Sequence, residues 1–494
     1  MQIHNKKIAI FDNSYVALPD DFYQHINPVP VKSPKLIIFN KNLGTNIGVD
    51  TNQSEKYYAQ LFSGNIIPDG ASPIALTYSG HQFGHFVPQL GDGRAVLLGE
   101  VTTTENNRHD IQLKGSGRTK YSRQGDGRSP VGPVIREYIL SEAMHALNIS
   151  STRSLAVVTT GEEVFREIPL PGAVLTRVAR SHIRIGTFEY FAARQQTDNL
   201  KKLADYAIDR HFPEIKPSAD PYPEFLRVVA ENQAKLIAQW IGVGFIHGVM
   251  NTDNTLISGE TIDYGPCAFL EHYDPSMVFS SIDNHGRYAF GNQPKIIQWN
   301  IACLAGCLMP LIEKNQEEAK KKISKVIEDF PTLINSKISE IMCQKIGLSS
   351  KQKDADKLLK KLLKIMKNNR SDFTLTFRSL SDVLINGDDA DFYKQFNAKI
   401  EVSEWLTEWL STIEIQKKSK HDIFISMQKI NPLYIPRNHL VERAIKAAVE
   451  NNNYSVMKNL CSILSQPFKE QKVDVDYKNP AHPSEIVYKT FCGT

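Results

Sequence analysis

The chain has 494 residues, 41% apolar and 23% charged, with a formal charge of +4, a composition that predicts a soluble globular protein of two or three domains or one large elaborated fold. Basic and acidic residues nearly balance, so no global field draws the protein to nucleic acid or to a membrane surface. Six cysteines without a Cys-x-x-Cys pair argue against a zinc knuckle and against a secreted disulfide framework.

Residues 1 to about 75 alternate short apolar runs with Pro, Asp and Asn, and read as an irregular N-terminal extension packed on something larger. The first residues, Met1 to Ile8, lead into polar and acidic positions rather than an apolar core with a cleavage site, so a cytoplasmic location is expected. Strand-like runs follow at Ala95–Val101 and Asp110–Lys114. A helix is expected from Val134 through Leu147, where Ile135, Ile139, Ala143 and Leu147 share a face. Leu155–Thr160 and Gly172–Val178 read as strands, and a long helix is expected from Pro223 to about Ile241. The apolar run Ile301–Ile312 is shorter than the roughly 20 residues a bilayer span needs and contains Pro310. Its Cys303 and Cys307, one helical turn apart, are expected in a core. Past residue 313, Lys-rich amphipathic helices dominate, with Leu358, Leu359, Leu362, Leu363 and Met366 as an apolar stripe. The predicted fold is therefore α+β: an extension over 1–75, a two-lobed protein-kinase-like nucleotide-binding core over 76–312, and a helical region over 313–494.

Candidate chemistry clusters in the middle segment. Gly91-Asp92-Gly93-Arg94 stands between apolar runs with Lys114 beyond it, and two glycines let backbone N–H groups approach phosphate oxygens while a lysine supplies a mobile charge. Neither a Rossmann fingerprint nor a Walker A pattern is present. Glu137 on the following helix is placed to pair with Lys114. A second Gly-Asp-Gly-Arg, Gly125 to Arg128, lies among Arg118, Lys120 and Arg123. With only Tyr121 for stacking, phosphate cradling fits it better than single-strand nucleic acid. Arg177, Arg180 and Arg184 offer guanidinium forks, some of which are expected to pair with Glu189 or other surface acids. His81 and His85 have a spacing that would share a helix face at a zinc site, but Gln82 replaces the needed Glu and Gly84 weakens a helix.

The most informative stretch is Phe245-Ile246-His247-Gly248-Val249-Met250-Asn251-Thr252-Asp253-Asn254, followed by Asp263-Tyr264-Gly265. A kinase places a catalytic Asp two residues after such a His, then a metal-binding Asn and the metal-binding Asp of Asp-Phe-Gly. Asn254 and Asp263 occupy the two metal positions, while the base position is Val249, which cannot accept a proton. Asp253, beside Asn254, is the carboxylate that remains.

Together with Tyr78-Ser79-Gly80-His81-Gln82-Phe83-Gly84, Gln112-Leu113-Lys114-Gly115-Ser116-Gly117, Ser141–Leu147, Ser181–Arg184 and Gly186–Phe191, these residues make the chain resemble the selenoprotein O family, kinase-like proteins that act as protein adenylyltransferases. The resemblance implies ATP bound in reverse, with its α-phosphorus exposed to a Ser, Thr or Tyr hydroxyl of a protein substrate, and pyrophosphate leaving. It implies that Gly91, Gly93, Arg94, Lys114, Asp126, Gly127, Arg177, Arg184 and Asp263 bind nucleotide and phosphates. Asn254 and Asp263 would hold Mg²⁺, with Mn²⁺ as an alternative, and Asp253 would be the base. Some members carry selenocysteine near the C-terminus where this chain has Cys492, and a Cys492–Cys267 disulfide near the metal segment is expected to lower activity. A monomer is expected, with protein substrates and ATP as partners and neither nucleic acid nor membrane. The competing readings are γ-phosphoryl transfer and an ATP-binding pseudokinase scaffold.

Overall fold

The computed structural model describes residues 8–313, 315–387 and 389–491. In chain order its elements are β1 (Tyr23–His25), β2 (Lys35–Phe39), α1 (Lys41–Asn46), α2 (Glu55–Phe62), β3 (Ile74–Leu76), β4 (Gly80–Gln82), β5 (His85–Val87), β6 (Ala95–Thr102), β7 (Arg108–Lys114), β8 (Ser129–Pro130), α3 (Val131–Ala146), β9 (Arg153–Phe165), β10 (Pro169–Ala179), α4 (Ile185–Ala193), α5 (Thr197–His211), α6 (Pro221–Val243), β11 (Phe245–Ile246), β12 (Ala268–Phe269), α7 (Gln293–Ile312) and α8 (Gln316–Lys345). They are followed by α9 (Ala355–Asn369), α10 (Phe373–Asn386), α11 (Ala390–Tyr393), α12 (Lys399–Glu414), α13 (Lys420–Ile430), α14 (Asn438–Asn451) and α15 (Ser455–Leu464). The chain is thus a mixed α+β protein with antiparallel sheets and many helices.

The main sheet runs β1-β3-β6-β7-β10-β9-β2, with β8 paired to β10. Every pairing in it is antiparallel. Side chains alternate across a strand, and here both faces are apolar. Leu97, Val157 and Leu175 point into the core that contains α3, whereas their neighbours Leu98, Val158 and Val174 point to a second core shared with Leu43, Tyr58 and Phe62 of α1 and α2. The segment 1–75 is therefore not merely an irregular wrapping. It supplies two strands of the sheet, the start of a third and the helices that cover one face, because its short apolar runs were long enough to pair at sheet edges.

α3 explains itself by its neighbours. An ordinary surface helix has one apolar stripe, but Val134, Ile135, Arg136, Glu137, Tyr138, Ile139 and Leu140 are all buried. The sheet lies on one side of α3, and α14 and α15 lie on another. Arg136 pairs with Glu442 of α14, and a Cβ at Gly132 would stand 3.2 Å from Ile445 Cγ2, so α14 seats directly on the helix. The stripe expected past residue 313 is largely realised in α9, where Leu358, Leu359, Leu362 and Met366 are buried together with Ile365, while Leu363 is only partly buried.

α7 corrects the sequence reading of its apolar run. Its apolar window begins before Ile301: the 23 residues Phe290–Ile312 contain an 18-residue window of mean hydropathy 1.4, long and apolar enough by length and composition to cross a membrane, although 44% of that window is buried inside the fold. Its polar side chains are used internally. Gln293 donates to the Phe245 carbonyl at 2.9 Å, and Asn300 donates to the Met250 carbonyl at 3.1 Å and to Thr255 Oγ1 at 2.9 Å.

Candidate active site

A cleft of about 610 Å³ opens between the sheet and the loop that follows β11. All eleven site residues named from the sequence line it: Gly91, Gly93, Arg94, Lys114, Asp126, Gly127, Arg177, Arg184, Asp253, Asn254 and Asp263. Gly91 is required by geometry, because its φ is +116° and a Cβ there would fall 2.5 Å from the Tyr121 ring. That close approach leaves the Gly91–Arg94 turn lying flat against the cleft wall.

Three cations converge on one carboxylate. Lys114 at the end of β7 donates to Glu137 Oε2 at 2.6 Å and to Asp263 Oδ1 at 2.9 Å. Arg177 on β10 donates Nη2–H to Asp263 Oδ1 at 2.7 Å and Nε–H to Glu137 Oε1 at 2.8 Å. Arg184 donates Nη1–H to Asp263 Oδ2 at 3.2 Å and to the Asp253 carbonyl at 2.6 Å, and its guanidinium lies 4.5 Å from the Tyr78 ring centroid. Burial alone would raise the Asp263 carboxyl, but Lys114, Arg177 and Arg184 hold it well below the usual carboxylate range. Glu137 behaves in the same way: burial opposes ionisation, and Arg177 and Lys114 overcome it. Asp263 sits at φ +63°, a left-handed conformation that Asp tolerates better than most residues and that turns its carboxylate toward the cations.

The loop bearing Asp253 and Asn254 is fixed from behind. His247 is fully buried, and its Nε2 lies 2.8 Å from the Ile262 carbonyl. A carbonyl only accepts, so Nε2 carries the proton and Nδ1 accepts from Val249 N–H at 3.3 Å. One ring therefore ties the loop that bears Asp253 to the residue before Asp263. Asn254 donates its amide to the Val249 carbonyl at 3.0 Å, which leaves its side-chain oxygen to face the cleft. Asp253 accepts from Gln82 Nε2 at 3.1 Å through Oδ2, and its buried Oδ1 has no hydrogen-bond partner. Burial raises its pKa to about 6 against the lowering effects of Gln82 and Arg184. A cluster of carboxylate and carboxamide oxygens, one of them orphaned, suits a hard divalent cation.

His81 and His85 do not lie on a helix. β4 and β5 form a two-stranded hairpin, since Phe83 at φ +51° and Gly84 at φ +86° make the turn. The hairpin docks on the loop that bears Asp253: His81 N–H donates to Thr252 Oγ1 at 2.7 Å and Phe83 N–H to Asn251 Oδ1 at 3.2 Å. Glu189, read as a surface acid, is buried and contacts His81 instead of an arginine. Arg180 stays out of the cleft. Its backbone N–H donates to Glu260 Oε2 at 3.1 Å, and it lines a separate pocket with Lys235.

Several residues that shape the cleft were given no nucleotide-site role from the sequence. Arg166, on the turn between β9 and β10, reaches the cleft and donates to Asp126 Oδ2 at 3.0 Å. Tyr121, weighed in the sequence only for base stacking, packs on Gly91, Tyr78 lies under Arg184, and Gln82, outside the cleft lining, donates to Asp253. Only Gln82 and Tyr78 sat in a recognisable motif, and neither had a role readable from spacing. Cys267 is fully buried and in Pro266-Cys267 adjoins the carbonyl that accepts from Thr490 Oγ1 at 2.5 Å. Cys492, its expected disulfide partner, lies outside the described residues.

Comparison with known proteins gives the chain its relatives. A family model described as "Protein adenylyltransferase SelO" matches residues 7–465. The chain is similar to a "Protein nucleotidyltransferase YdiU" of Maridesulfovibrio salexigens, 54% identical over 484 residues and covering 98% of each chain. A protein of the same name from Rhizobium johnstonii is 51% identical over 487 residues, 98% of this chain and 97% of that one. Another, from a Bradyrhizobium species, is 50% identical over 485 residues, 98% of this chain and 99% of that one.

Proposed function

The chain belongs to the protein adenylyltransferase SelO family, and from that premise we propose that it transfers AMP from ATP to Ser, Thr or Tyr hydroxyls of proteins, with release of pyrophosphate. The observation that carries this reading is the position of the free base. The kinase base position holds Val249, while Asp253 faces the same cleft with an orphaned Oδ1 and a raised pKa.

Lys114, Arg177 and Arg184 would bind the polyphosphate, because charge-assisted forks suit phosphate oxygens. Arg94 and Arg123, which have no carboxylate partner among the described residues, add charge at the mouth. Asp126 is better suited to a ribose hydroxyl than to a phosphate, which it would repel. Asn254 and Asp263 would hold Mg²⁺, with Mn²⁺ as the alternative, and when bound the ion supplies charge neutralisation at the phosphate oxygens. Asp253 Oδ1 would accept the proton of the attacking hydroxyl, a role for which a pKa close to the working pH is favourable. The Lys114–Glu137 pair between a strand and α3, followed by Asn254 and Asp263, supports a two-lobed kinase-like arrangement.

The test is incubation with Mg²⁺ and ATP labelled separately at the α- and γ-phosphates. Covalent α-label on protein hydroxyls without γ-label is the expected result. Transfer of γ-label alone would make the protein a kinase, and the absence of both would leave a nucleotide-binding scaffold.

A further inference from the structure

A side-chain cluster outside the cleft combines three kinds of metal-ligating atom. His81 on β4, Glu189 on α4 and Cys303 on α7 bring an imidazole nitrogen, a carboxylate oxygen and a thiol sulfur within 4.8 Å of one another. None of the three lines the nucleotide cleft. The elements come from distant parts of the sequence, and only the docking of the β4–β5 hairpin on α4 and α7 assembles them.

The surroundings resemble those of a built metal site more than those of a chance contact. His81 Nδ1 lies 2.5 Å from Glu189 Oε1, and Thr252 Oγ1 donates to Glu189 Oε2 at 2.5 Å. That second bond fixes the carboxylate plane, the task of outer-shell donors at metal centres. The His81 ring is edge-on to Trp299 and tilted against Phe86, each with centroids 5.0 Å away, so apolar walls flank the donors. The His81 side chain keeps 26% exposure, which leaves a path for an ion. Arg287 lies 5.0 Å over the Trp299 ring and is the nearby cation. A carboxylate and a thiolate together balance a divalent ion, so Arg287 does not forbid one.

We propose that His81 Nδ1, Glu189 and Cys303 Sγ bind Zn²⁺, with water in a fourth position. A nitrogen, oxygen and sulfur set selects a borderline-soft ion over Mg²⁺ or Ca²⁺. Bonds of about 2.0–2.3 Å place tetrahedral ligand atoms about 3.3–3.8 Å apart, so His81 and Glu189 must separate while Cys303 draws in. The Sγ–H bond breaks, its proton passes to solvent, and the sulfur lone pair forms the bond to the metal; the proton between His81 Nδ1 and Glu189 Oε1 moves through solvent to His81 Nε2, which frees the Nδ1 lone pair and the carboxylate for the ion. No electron changes hands. Without an ion the thiol is protonated, since burial and then the Glu189 charge push it up to about 12. The site uses none of the residues assigned to AMP transfer, so it stands or falls separately from that activity.

The experiment titrates the full-length, chelator-stripped protein with Co²⁺, a spectroscopic substitute for Zn²⁺, and then displaces it with Zn²⁺. The expected result is one ion with tetrahedral ligand-field bands and a sulfur-to-cobalt charge-transfer band. Cys303→Ser should lose that band and bind Zn²⁺ at least roughly tenfold more weakly, with the same thermal midpoint as the parent in chelator. Asp263→Ala should keep the band. No charge-transfer band in the parent overturns the proposal and leaves His81–Glu189–Thr252 as a hydrogen-bonded strut. A band that survives in Cys303→Ser, or disappears in Asp263→Ala, assigns the ion elsewhere and overturns it equally.

Discussion

Asp253 carries a pH signature. A base must be unprotonated to accept, and burial has lifted this carboxyl to about 6. Turnover should therefore fall below about pH 6, by about tenfold per unit in the limiting limb. Asp253→Asn should lower kcat by roughly 10²- to 10⁴-fold and abolish that limb; a variant that retains both activity and limb would remove Asp253 from the role. Gln82 donates to the charged form, so Gln82→Met withdraws a lowering influence and should move the limb to higher pH, which a kcat profile at saturating ATP reads directly. The candidacy of Asp253 was legible because a carboxylate stood beside Asn254 where Val249 had displaced the usual one. Its orphaned oxygen was not legible, since that depends on Gly80 and Gln82, far away in sequence. Arg180 was misplaced for the same kind of reason: its spacing from Arg177 and Arg184 resembled a cluster, but the strand ends between them and its side chain leaves the cleft.

At the scale of elements, the β4–β5 hairpin is the part on which Asp253, the proposed base, depends. A Cβ at Gly80 would fall 2.5 Å from Asp253 Oδ1, so Gly80→Ala should push the carboxylate out of register. Turnover should drop by roughly 10²-fold while the thermal midpoint changes little; equal losses of folding and activity would show the glycine to be structural only. The hairpin was invisible to periodicity, because strands this short alternate too few times and its turn needs a positive φ at Phe83 that no rule assigns to Phe. α3 and α6, by contrast, were found from spacing alone because their apolar positions repeat over many turns. The end of α8 gives a further prediction. Lys345 is 1% exposed, with its ammonium 5.4 and 4.5 Å from the Phe373 and Phe377 rings of α10, and burial brings its pKa down to about 7. In the unfolded chain it titrates near its ordinary value of about 10.4. The unfolded state thus holds the extra proton between these values, and stability should rise with pH from about 7 to 10. Lys345→Met should flatten that rise in urea midpoints; an unchanged slope would mean that the amine keeps its charge in the fold.

For the whole molecule, the C-terminal helices matter to the cleft because α14 rests on α3, and α3 holds Glu137. The pair Lys114–Glu137 is closed at 2.6 Å. Gly132→Leu should wedge α3 from Ile445 and Val449 and weaken catalysis, with the loss appearing in kcat and in the thermal midpoint together. An effect on the midpoint alone would sever α14 from catalysis. This dependence could not be read from the sequence, where the helices past residue 313 looked like a separate appendage. Their amphipathic stripes show that they bury something without showing what. The same limit applied to residues 1–75, whose strands have no visible partner until the sheet exists.

The grip of Lys114, Arg177 and Arg184 on Asp263 has one more consequence, for how the cycle ends. When it is not holding the ion assigned to it above, Asp263 would be an internal rival for the groups proposed to hold the departing pyrophosphate. Each time that product loosens, the carboxylate is already within 3.2 Å to retake the three cations, so rebinding of the product has to displace a tethered competitor. On the roles proposed above, ATP on entry and pyrophosphate on exit would meet the same tethered anion, so the site would give up affinity for both in exchange for faster release of the product.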